Sequence, residues 1–436
     1  MAANLLLALV VGAGSFSADL GTRLNVRWPG EEGARLSWFQ TRAALNFEPL
    51  RSNRVESRIG VELRADGFPA LASAIEPGTA GEVEPVQVLL DEAFVRLFDL
   101  APGLNLGLGR QQVHWGAADA VNPTNLLCAP DYTDPLTWDA RRPAWLAHAE
   151  YTPLPQFGVE LAWRPVFEPA LTNTSGWFPA SGFLPTEEQL RLGLARQFIE
   201  QGAPEDSAMA WAARYRVTIG EDLELPGRTL ADGSWGGRLK SRLGPVDFSL
   251  SALRGYDFLP AVTPVTVVRP ESLSLDFTLV ERFPRATFIG GDLAADLFGA
   301  GAWVEAALTA YDDSLPDDRV DVILGADYTL AGVYANLQYL HGRFPLALAR
   351  AEAETPGDYL LGAIERKFLD ERVLLRLGGV VEVTDGSWGL LPLARWMPFS
   401  GVEVELGGLV FAGTEDDAFT PVADCDEAFL GLRYRF

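Results

Sequence analysis

The chain has 436 residues, of which 22% are charged and 11% are aromatic, and it carries 43 Gly and a formal net charge of −24 at pH 7. This length fits two or three soluble domains or one large all-β domain. The acidic balance argues against nucleic acid as a partner, because binding the phosphate backbone requires basic patches. No apolar run reaches the roughly 18 residues of a membrane-spanning helix, which excludes a polytopic helical membrane protein.

The chain starts with an apolar segment, residues 4–12, followed by small residues at 13–15, 17 and 18. This order is typical of a secretory signal, although no positive charge precedes the apolar core. We predict a signal peptide over residues 1–18, cleaved after Ser15 or Ala18, and one domain over residues 19–436. The alternative is a buried first strand.

From residue 20 onward, apolar and polar residues alternate. Leu20, Leu24 and Val26 share one face of the first strand, and Arg23 and Arg27 share the other. Alternation also occurs in soluble β-sandwiches, so it does not decide the class by itself. The pattern continues to the last residue with no linker or change of composition, which indicates a single domain.

The last strand decides between the two classes. Leu430, Leu432, Tyr434 and Phe436 face one way, and the arginines between them face the other. This ending resembles the C-terminal strand of Gram-negative outer-membrane barrels, in which a final Phe is part of the signal read by the barrel-assembly machinery. The resemblance implies a closed antiparallel transmembrane β-barrel in the cell outer membrane, in contact with membrane lipid and lipopolysaccharide.

Short periplasmic turns and long outer loops alternate in such barrels. With long links at 256–285, 312–316, 342–355 and 412–424 placed outside, the pattern predicts 18 strands, with 16 or 20 as alternatives. The predicted strands are 19–28, 34–47, 54–65, 84–98, 103–111, 144–152, 156–166, 233–243, 245–255, 286–297, 300–311, 317–328, 331–341, 356–367, 371–383, 387–397, 400–411 and 425–436. Two more strand-like runs, 206–217 and 272–282, are expected above the rim or folded inward.

One helix is expected inside the long connection that spans residues 167–232. Thr186 and Gln189 form a capping-box pattern ahead of apolar residues at helical spacing. We predict a helix near 187–200. It either covers the mouth of the barrel as a gate or only orders the loop.

Charged residues collect on the face that alternation turns toward the lumen. Two interpretations stay open: an ion-paired wall that keeps the barrel round, or a charge filter that selects solutes. The arginine and lysine at 238, 240 and 242 form the best basic ladder. The predicted pore-lining residues are Arg23, Arg27, Arg54, Arg58, Arg64, Arg238, Lys240, Arg242, Arg376, Glu56, Glu62, Glu160, Glu403 and Glu405.

The least generic passage is residues 107–131, which begins as a strand and becomes rich in Gln, Asp, Asn and Pro. Glu92-Ala93-Phe94-Val95, Gly109-Arg110-Gln111, Trp115-Gly116, Asp119, Asn122-Pro123 and Pro130-Asp131 resemble a signature of proteobacterial outer-membrane barrels of unassigned function, neighbours of the porin and alginate-export families. The resemblance implies a channel or an exporter and no particular substrate. Asn125 stands where the signature has Asp.

This passage is either a constriction loop folded into the barrel or an outer loop whose motif secures its own fold. Strict alternation would turn Arg110 toward lipid, unless a bulge at Gly107 or Gly109 turns it toward the lumen. The predicted constriction residues are Arg110, Gln111, Trp115, Asp119, Asn122, Asp131, Arg141 and Arg142.

Catalytic, metal and cofactor sites are not predicted. The three histidines, His114, His148 and His341, lack metal-ligand spacing. His148 shares a face with Glu150, but no GxSxG motif or recognisably spaced Ser supplies a nucleophile. No CxxCH motif for haem is present, and the sequence leaves open whether Cys128 and Cys425 are bridged.

The sequence therefore predicts an outer-membrane channel or transporter for small polar or anionic solutes, narrowed or gated by an inward-folded loop. The alternative is a non-conducting barrel, either a sheath or docking partner in an envelope complex or a conduit for lipid or polysaccharide. The oligomeric state stays open.

Overall fold

The computed structural model describes residues 14–28, 34–66, 86–119, 121–134, 136–137, 139–171, 185–313, 316–344, 356–414 and 417–436. Eighteen of the strands form one antiparallel sheet, which closes because the first strand pairs with both the second and the last. The barrel strands are β1 (Ser15–Arg27), β2 (Arg35–Arg51), β3 (Val55–Asp66), β4 (Val86–Ala101), β5 (Leu104–Gln111), β6 (Ala144–Leu154), β7 (Phe157–Arg164), β9 (Ser234–Leu243), β10 (Val246–Tyr256), β13 (Arg285–Leu297), β14 (Ala300–Tyr311), β15 (Arg319–Leu330), β16 (Val333–Gly342), β17 (Gly357–Phe368), β18 (Val373–Glu382), β19 (Trp388–Phe399), β20 (Val402–Ala412) and β21 (Glu427–Arg435).

This architecture confirms the predicted 18-stranded barrel, and the alternatives of 16 and 20 strands are wrong. Connections of two to four residues alternate along the chain with connections of five or more. All the long connections therefore lie at one rim and all the short ones at the other. The predicted strand number depends on this alternation of short and long connections.

The barrel wall alternates because each strand has one face toward the lumen and one toward the outside. In β14, Glu305, Ala307 and Thr309 are buried inside, whereas Ala306 and Leu308 are exposed outside. The large side chains exposed along the outer wall are predominantly apolar. Closure satisfies the strand edges that lipid could not satisfy. Among the described residues, no helix is long and apolar enough to cross a membrane.

A small appendage forms at the long-loop rim from the connection between β7 and β9 and the connection between β10 and β13. Its three strands, β8 (Arg216–Glu224), β11 (Ala261–Arg269) and β12 (Ser274–Arg282), form a separate sheet, in which β8 runs parallel to β12. Two helices, α1 (Glu187–Glu200) and α2 (Glu205–Ala212), pack with it.

The appendage confirms one local prediction and corrects another. Thr186 and Gln189 form both hydrogen bonds of the predicted capping box at the start of α1. The run 272–282 contains β12, which belongs to the appendage and not to the wall. The strand-like interpretation of 206–217 is wrong over most of its length, because α2 buries Ala208 and Ala212, spaced one helical turn apart, among apolar neighbours.

The predicted signal segment spans residues 1–18. Residues 1–13 of it lie outside the described residues. Residues 15–18 belong to β1 and pair with residues 45–48 of β2. The cleavage position stays a prediction.

Candidate functional site in the barrel lumen

The passage singled out in the sequence leaves the wall after Gln111 and returns to it at Ala144. We call residues 112–143 the inner segment. Its firmest contact is with the carboxylate of Glu305, which is fully buried on the inner face of β14. One oxygen accepts hydrogen bonds from the backbone N–H and the hydroxyl of Thr124, at 2.6 and 2.9 Å. The other accepts from the N–H groups of Ala117 and Ala118, at 2.9 and 3.1 Å.

A second anchor is the indole of Trp115, which is fully buried. Its N–H donates to Glu160 on β7 at 2.9 Å. The same carboxylate lies 3.1 Å from His148 Nε2 and 3.0 Å from the ammonium of Lys240. Glu160 therefore ties the inner segment to a polar cluster on the inner faces of β6, β7 and β9.

Three further contacts reach other parts of the wall. Asp134 lies 2.9 Å from Arg23 on β1, and Asp131 lies 3.4 Å from Arg64 on β3. Asp119 accepts a hydrogen bond from Asn336 on β16 at 3.1 Å. With β7 and β14, five strands spread around the barrel hold the inner segment through inward-facing side chains.

Electrostatics favour the charged form of Asp134 in this setting. Burial alone would raise the pKa of the carboxyl, but Arg23 beside it and the nearby Arg42 lower the pKa below its usual value. Arg23, predicted as a filter residue, is therefore part of an anchor.

The inner segment is also held by contacts within itself. The ring nitrogens of His114 lie 3.1 Å from the side-chain amide of Asn122 and 2.9 Å from that of Asn125. Gly116 has a φ of 94°, a left-handed conformation that favours glycine, and a Cβ there would collide with Asn122. Desolvation, with help from the nearby Arg141, lowers the pKa of His114. The Trp-Gly and Asn-Pro parts of the motif thus shape the segment itself.

Arg164 lies at the end of β7, and its fully buried guanidinium binds the inner segment. It donates to the carbonyls of Leu126 and Leu127 at 3.4 and 3.2 Å and to the hydroxyl of Ser234 at 2.9 Å. These carbonyls follow the Asn-Pro turn, which explains how an irregular backbone stays satisfied inside the barrel.

The direction of Arg110 is now defined. In register it lies between Ala93 and Trp145, on the side of the lipid-facing Leu108, as strict alternation predicts. Yet only 6% of its surface is exposed, because its guanidinium turns along the wall and donates to the carbonyls of Leu90 and Asp91 at 2.8 and 3.0 Å. Arg110 is a wall residue and does not narrow the lumen.

Gln111 is fully buried beside Gly107, where the Gln111 amide occupies the space that a Cβ would need. Its Oε1 accepts a hydrogen bond from Arg96 at 3.4 Å. Gln111 therefore packs at the inner wall where the inner segment begins.

A cavity of about 870 Å³ remains between the inner segment and the opposite wall. Side chains of β1, β2 and β16–β21 line it from the wall, and residues 119, 134, 136–137 and 139–140 line it from the segment. Its charged residues are of both signs. They are Asp19, Arg23, Arg42, Asp119, Asp134, Asp139, Glu365, Arg376, Arg395, Glu405 and Arg433.

Most of the predicted pore-lining charges are in ion pairs, as the wall interpretation requires. The pairs with their N···O distances are Arg27–Glu427 at 2.8 Å, Arg58–Glu48 at 2.8 Å, Arg58–Glu92 at 2.9 Å, Arg96–Glu56 at 3.4 Å, Arg238–Asp292 at 3.4 Å, Arg435–Glu403 at 3.2 Å and Arg395–Glu405 at 2.7 Å, together with Arg64–Glu62 and Lys240–Glu150. Arg376 differs from these residues, because it is exposed in the large cavity.

Three predicted placements need correction. Arg54 does not line the pore, because β2 ends at Arg51 and Arg54 lies exposed in the following turn. Arg242 lies at the short-turn rim, where it pairs with Asp247 and both side chains are more than half exposed. The carboxylate partner of His148 is Glu160 and not Glu150, because Glu150 pairs with Lys240.

The two cysteines are free, and each is buried in a different apolar cluster. Burial raises the pKa of both thiols, that of Cys425 to about 12. Among the described residues, no group of three or more His, Cys, Asp or Glu could hold a metal ion.

Solved structures of known proteins are similar to this chain in fold, at low sequence identity. OccK9 (OpdG) of Pseudomonas aeruginosa superposes with a TM-score of 0.55 over 98% of this chain and 99% of its own, at 10% identity. The chain has a closed β-barrel of porin-like fold. Wzi of Escherichia coli, a carbohydrate-binding barrel involved in group 1 capsule assembly, gives 0.48 at 12% identity over 100% of this chain and 87% of its own. OmpF of Salmonella typhi gives 0.42 at 10% identity over 97% of both chains. No family model and no curated protein matches the chain.

Sequence reasoning missed the two residues that hold the inner segment most firmly. Glu305 and Arg164 lie on strands, and a lone charge on an inward face looks like any other lumen residue. The available signal was indirect: Glu305 is the only acidic residue in β14, flanked by alanines and valine. Their partners are backbone groups of a distant loop, which no local pattern identifies.

Proposed function

We propose that this barrel is an outer-membrane channel for small polar or anionic solutes, with the inner segment as its constriction. The observation that carries the proposal is the 870 Å³ cavity beside the segment, whose lining includes charged residues of both signs. An 18-stranded barrel is wide enough for an aqueous path unless its interior is filled. In the part of the chain that the structure describes, the inner segment fills one side of the lumen and the cavity occupies the other.

The charges around the cavity support solutes that are polar and small. Asp19, Asp134 and Glu405 are neutralised by neighbouring arginines. Arg376 is exposed in the cavity and lies opposite Glu365 in the strand register. An anion or a zwitterion would find a cationic contact at Arg376, whereas a bulky solute would meet the inner segment.

A second candidate is a barrel that does not conduct. It is supported by the number of anchors, since contacts with five strands could hold the inner segment permanently across the path. Such a barrel would serve as a sheath or docking partner in an envelope complex.

Conductance in planar bilayers separates the two candidates. We expect the purified barrel to give discrete current steps, smaller than those of an unobstructed barrel of this width. Replacing residues 117–137 with a short Gly-Ser linker should raise the conductance. Absence of current from both proteins, with the barrel intact by its heat-dependent electrophoretic mobility, would overturn the channel proposal in favour of the second candidate.

Two further predictions belong to this proposal: the histidines have no catalytic role, and the assembly machinery recognises the end of the last strand. The three histidines bond to amides or carboxylates, namely His114 to Asn122 and Asn125, His148 to Glu160 and His341 to Asp358, and we propose no catalytic role for them. Phe436 directly follows the last strand, and 66% of its surface is exposed, which fits the proposed recognition by the assembly machinery.

A further inference from the structure

An apolar cluster lies inside the barrel between the 870 Å³ cavity and the long-loop rim. It occupies the inner faces of strands that also line the cavity. On β16, Leu340 belongs to the cluster, whereas Asn336, nearer the short turn, lines the cavity. On β18, Val380 and Arg376 have the same arrangement. The cluster residues on β16–β20 are Leu340, Tyr359, Leu361, Val380, Leu409 and Phe411.

A stretch of the connection between β20 and β21 completes this cluster. We call residues 417–426 the plug segment. Its Phe419 and Val422 are fully buried, and Ala418 and Cys425 are each only 1% exposed. All four belong to the apolar cluster. The connection therefore folds into the lumen with its apolar side chains inward.

The ring of Phe419 contacts aromatic rings from other parts of the lumen. Its centroid lies 5.9 Å from that of Phe344, 6.3 Å from that of Tyr359 and 6.1 Å from that of Phe411, within the usual range for aromatic pairs. Ala118 of the inner segment belongs to the same cluster. In the described part of the chain, apolar side chains thus fill the lumen above the cavity, from the wall to the inner segment.

The plug segment has few polar attachments compared with the inner segment. The backbone N–H of Ala418 donates to Asp385 at 2.7 Å. At the base of the segment, Asp426 accepts from the N–H groups of Phe411 and Trp28, at 2.8 and 3.1 Å. Among the described residues, no ion pair joins the plug segment to the wall. Because β20 and β21 pair directly with each other below it, the segment can leave the lumen without opening the barrel.

We propose that the plug segment is the gate of the channel, with Phe419 as the gating residue. An apolar constriction stops ions by excluding water, and it conducts once it is widened and wetted. Displacing the Phe419 ring connects the large cavity with the long-loop rim. The inner segment then sets the width of the path, and the plug segment sets whether the path is open. This proposal rests on the proposed function, because a gate requires a path.

Cysteine labelling reports the position of the plug segment without any current. Cys425 lies in the apolar cluster with Phe419, and Cys128 lies in a separate cluster. We expect maleimide to label Cys425 in native Phe419→Ala, whereas Cys425 of the parent stays unlabelled over the same time and Cys128 stays unlabelled in both. Phe288→Ala is the matched control, because Phe288 is 5% exposed in the cluster of Cys128. It should leave Cys425 unlabelled.

Currents in planar bilayers test the gate directly. Phe419→Ala should be open for a severalfold larger fraction of the time than the parent, with the same current per open step, since the inner segment is unchanged. Phe419→Leu keeps a large apolar side chain and should lie closer to the parent. Val422→Ala, a smaller truncation in the same cluster, tests the gate if Phe419→Ala does not fold. Heat-dependent electrophoretic mobility confirms the barrel in each variant.

Two results would overturn the gate. One is an unlabelled Cys425 and an unchanged open fraction in both Phe419→Ala and Val422→Ala, with currents like those of the parent; the channel function would then stand without this gate. The other is labelling of Cys128 together with Cys425, which reports loosening of the whole interior. Labelling of Cys425 alone, without current from either protein, would support movement of the plug segment and contradict the channel function instead.

Discussion

Glu305 on β14 and Thr124 in the inner segment share two hydrogen bonds, one from the Thr124 backbone N–H at 2.6 Å and one from its hydroxyl at 2.9 Å. The two residues are 181 positions apart in the chain. The other carboxylate oxygen accepts from Ala117 and Ala118. An ionised carboxylate is an acceptor only, so it suits a pocket that presents four donors.

Replacing Glu305 with Gln should loosen the inner segment. The amide nitrogen would face N–H groups where the carboxylate oxygen accepted two hydrogen bonds, leaving buried donors unpaired at a cost of about 1–3 kcal/mol each. We expect a higher mean single-channel conductance and more frequent current fluctuations in Glu305→Gln than in the parent protein.

The control for this change is Glu371→Gln, in an exposed turn at the short-turn rim, where the carboxylate pairs with Lys367. It should conduct like the parent. If Glu305→Gln and Glu371→Gln gave the same conductance and the same fluctuations, the anchor would have no role in restricting the path.

The strands could be predicted from the sequence because a two-residue period and alternating loop lengths are local signals. All 18 predicted wall strands overlap observed ones, and the helix at 187–200 follows from its capping box. The partners of inward charges could not be predicted. Arg238 and Lys240 look like a free basic ladder in the sequence, but Asp292, Glu150 and Glu160 reach them from neighbouring strands. Such pairs depend on register and side-chain length.

The position of the Arg110 side chain could also be predicted only in part from the sequence. Alternation predicts the side of the wall correctly, yet the buried guanidinium depends on where β5 ends relative to β4. Strand β5 ends at Gln111 because the chain leaves the wall there as the inner segment. Contacts across the barrel hold that segment, and no local pattern in the sequence shows them.

The contacts of the His114 ring with Asn122 and Asn125 predict that the stability of the inner segment depends on pH. Desolvation lowers the pKa of His114 below its ordinary value of 6.5, so the folded protein favours the neutral ring. Below pH 6.5 the unfolded segment binds more protons than the folded one, and stability present above that pH is lost as the pH falls through the folded-state pKa. We expect the conductance fluctuations to increase between pH 7 and pH 5.

Substituting the ring tests this assignment. His114→Gln keeps a side chain that hydrogen-bonds amides but does not titrate near neutral pH. Its fluctuations should be independent of pH over the same range, whereas His341→Gln, at the end of β16, should retain the dependence of the parent. An unchanged pH response in His114→Gln would assign the titration to another group.

The two cysteines should be unreactive in the folded barrel. Both thiols are buried, and burial raises their pKa values, so little thiolate is available at neutral pH. We expect no labelling by maleimide at pH 7 before denaturation and two labels per chain afterward, with identical electrophoretic mobility with and without reductant. Rapid labelling of the native protein would contradict the packing of Cys128 and Cys425.

Ion selectivity should depend on Arg376 more than on the ladder at 238–242. Arg376 is exposed in the large cavity, whereas Arg242 pairs with Asp247 at the rim, where solvent screens both charges. In a salt gradient across a planar bilayer, Arg376→Gln should move the reversal potential toward cation preference, and Arg242→Gln should leave it near the parent value. Because the opposing Glu365 then lacks its cationic neighbour, the additional change Glu365→Gln should return the potential toward that of the parent. A reversal potential that follows Arg242 instead would place the selective region at the short-turn rim.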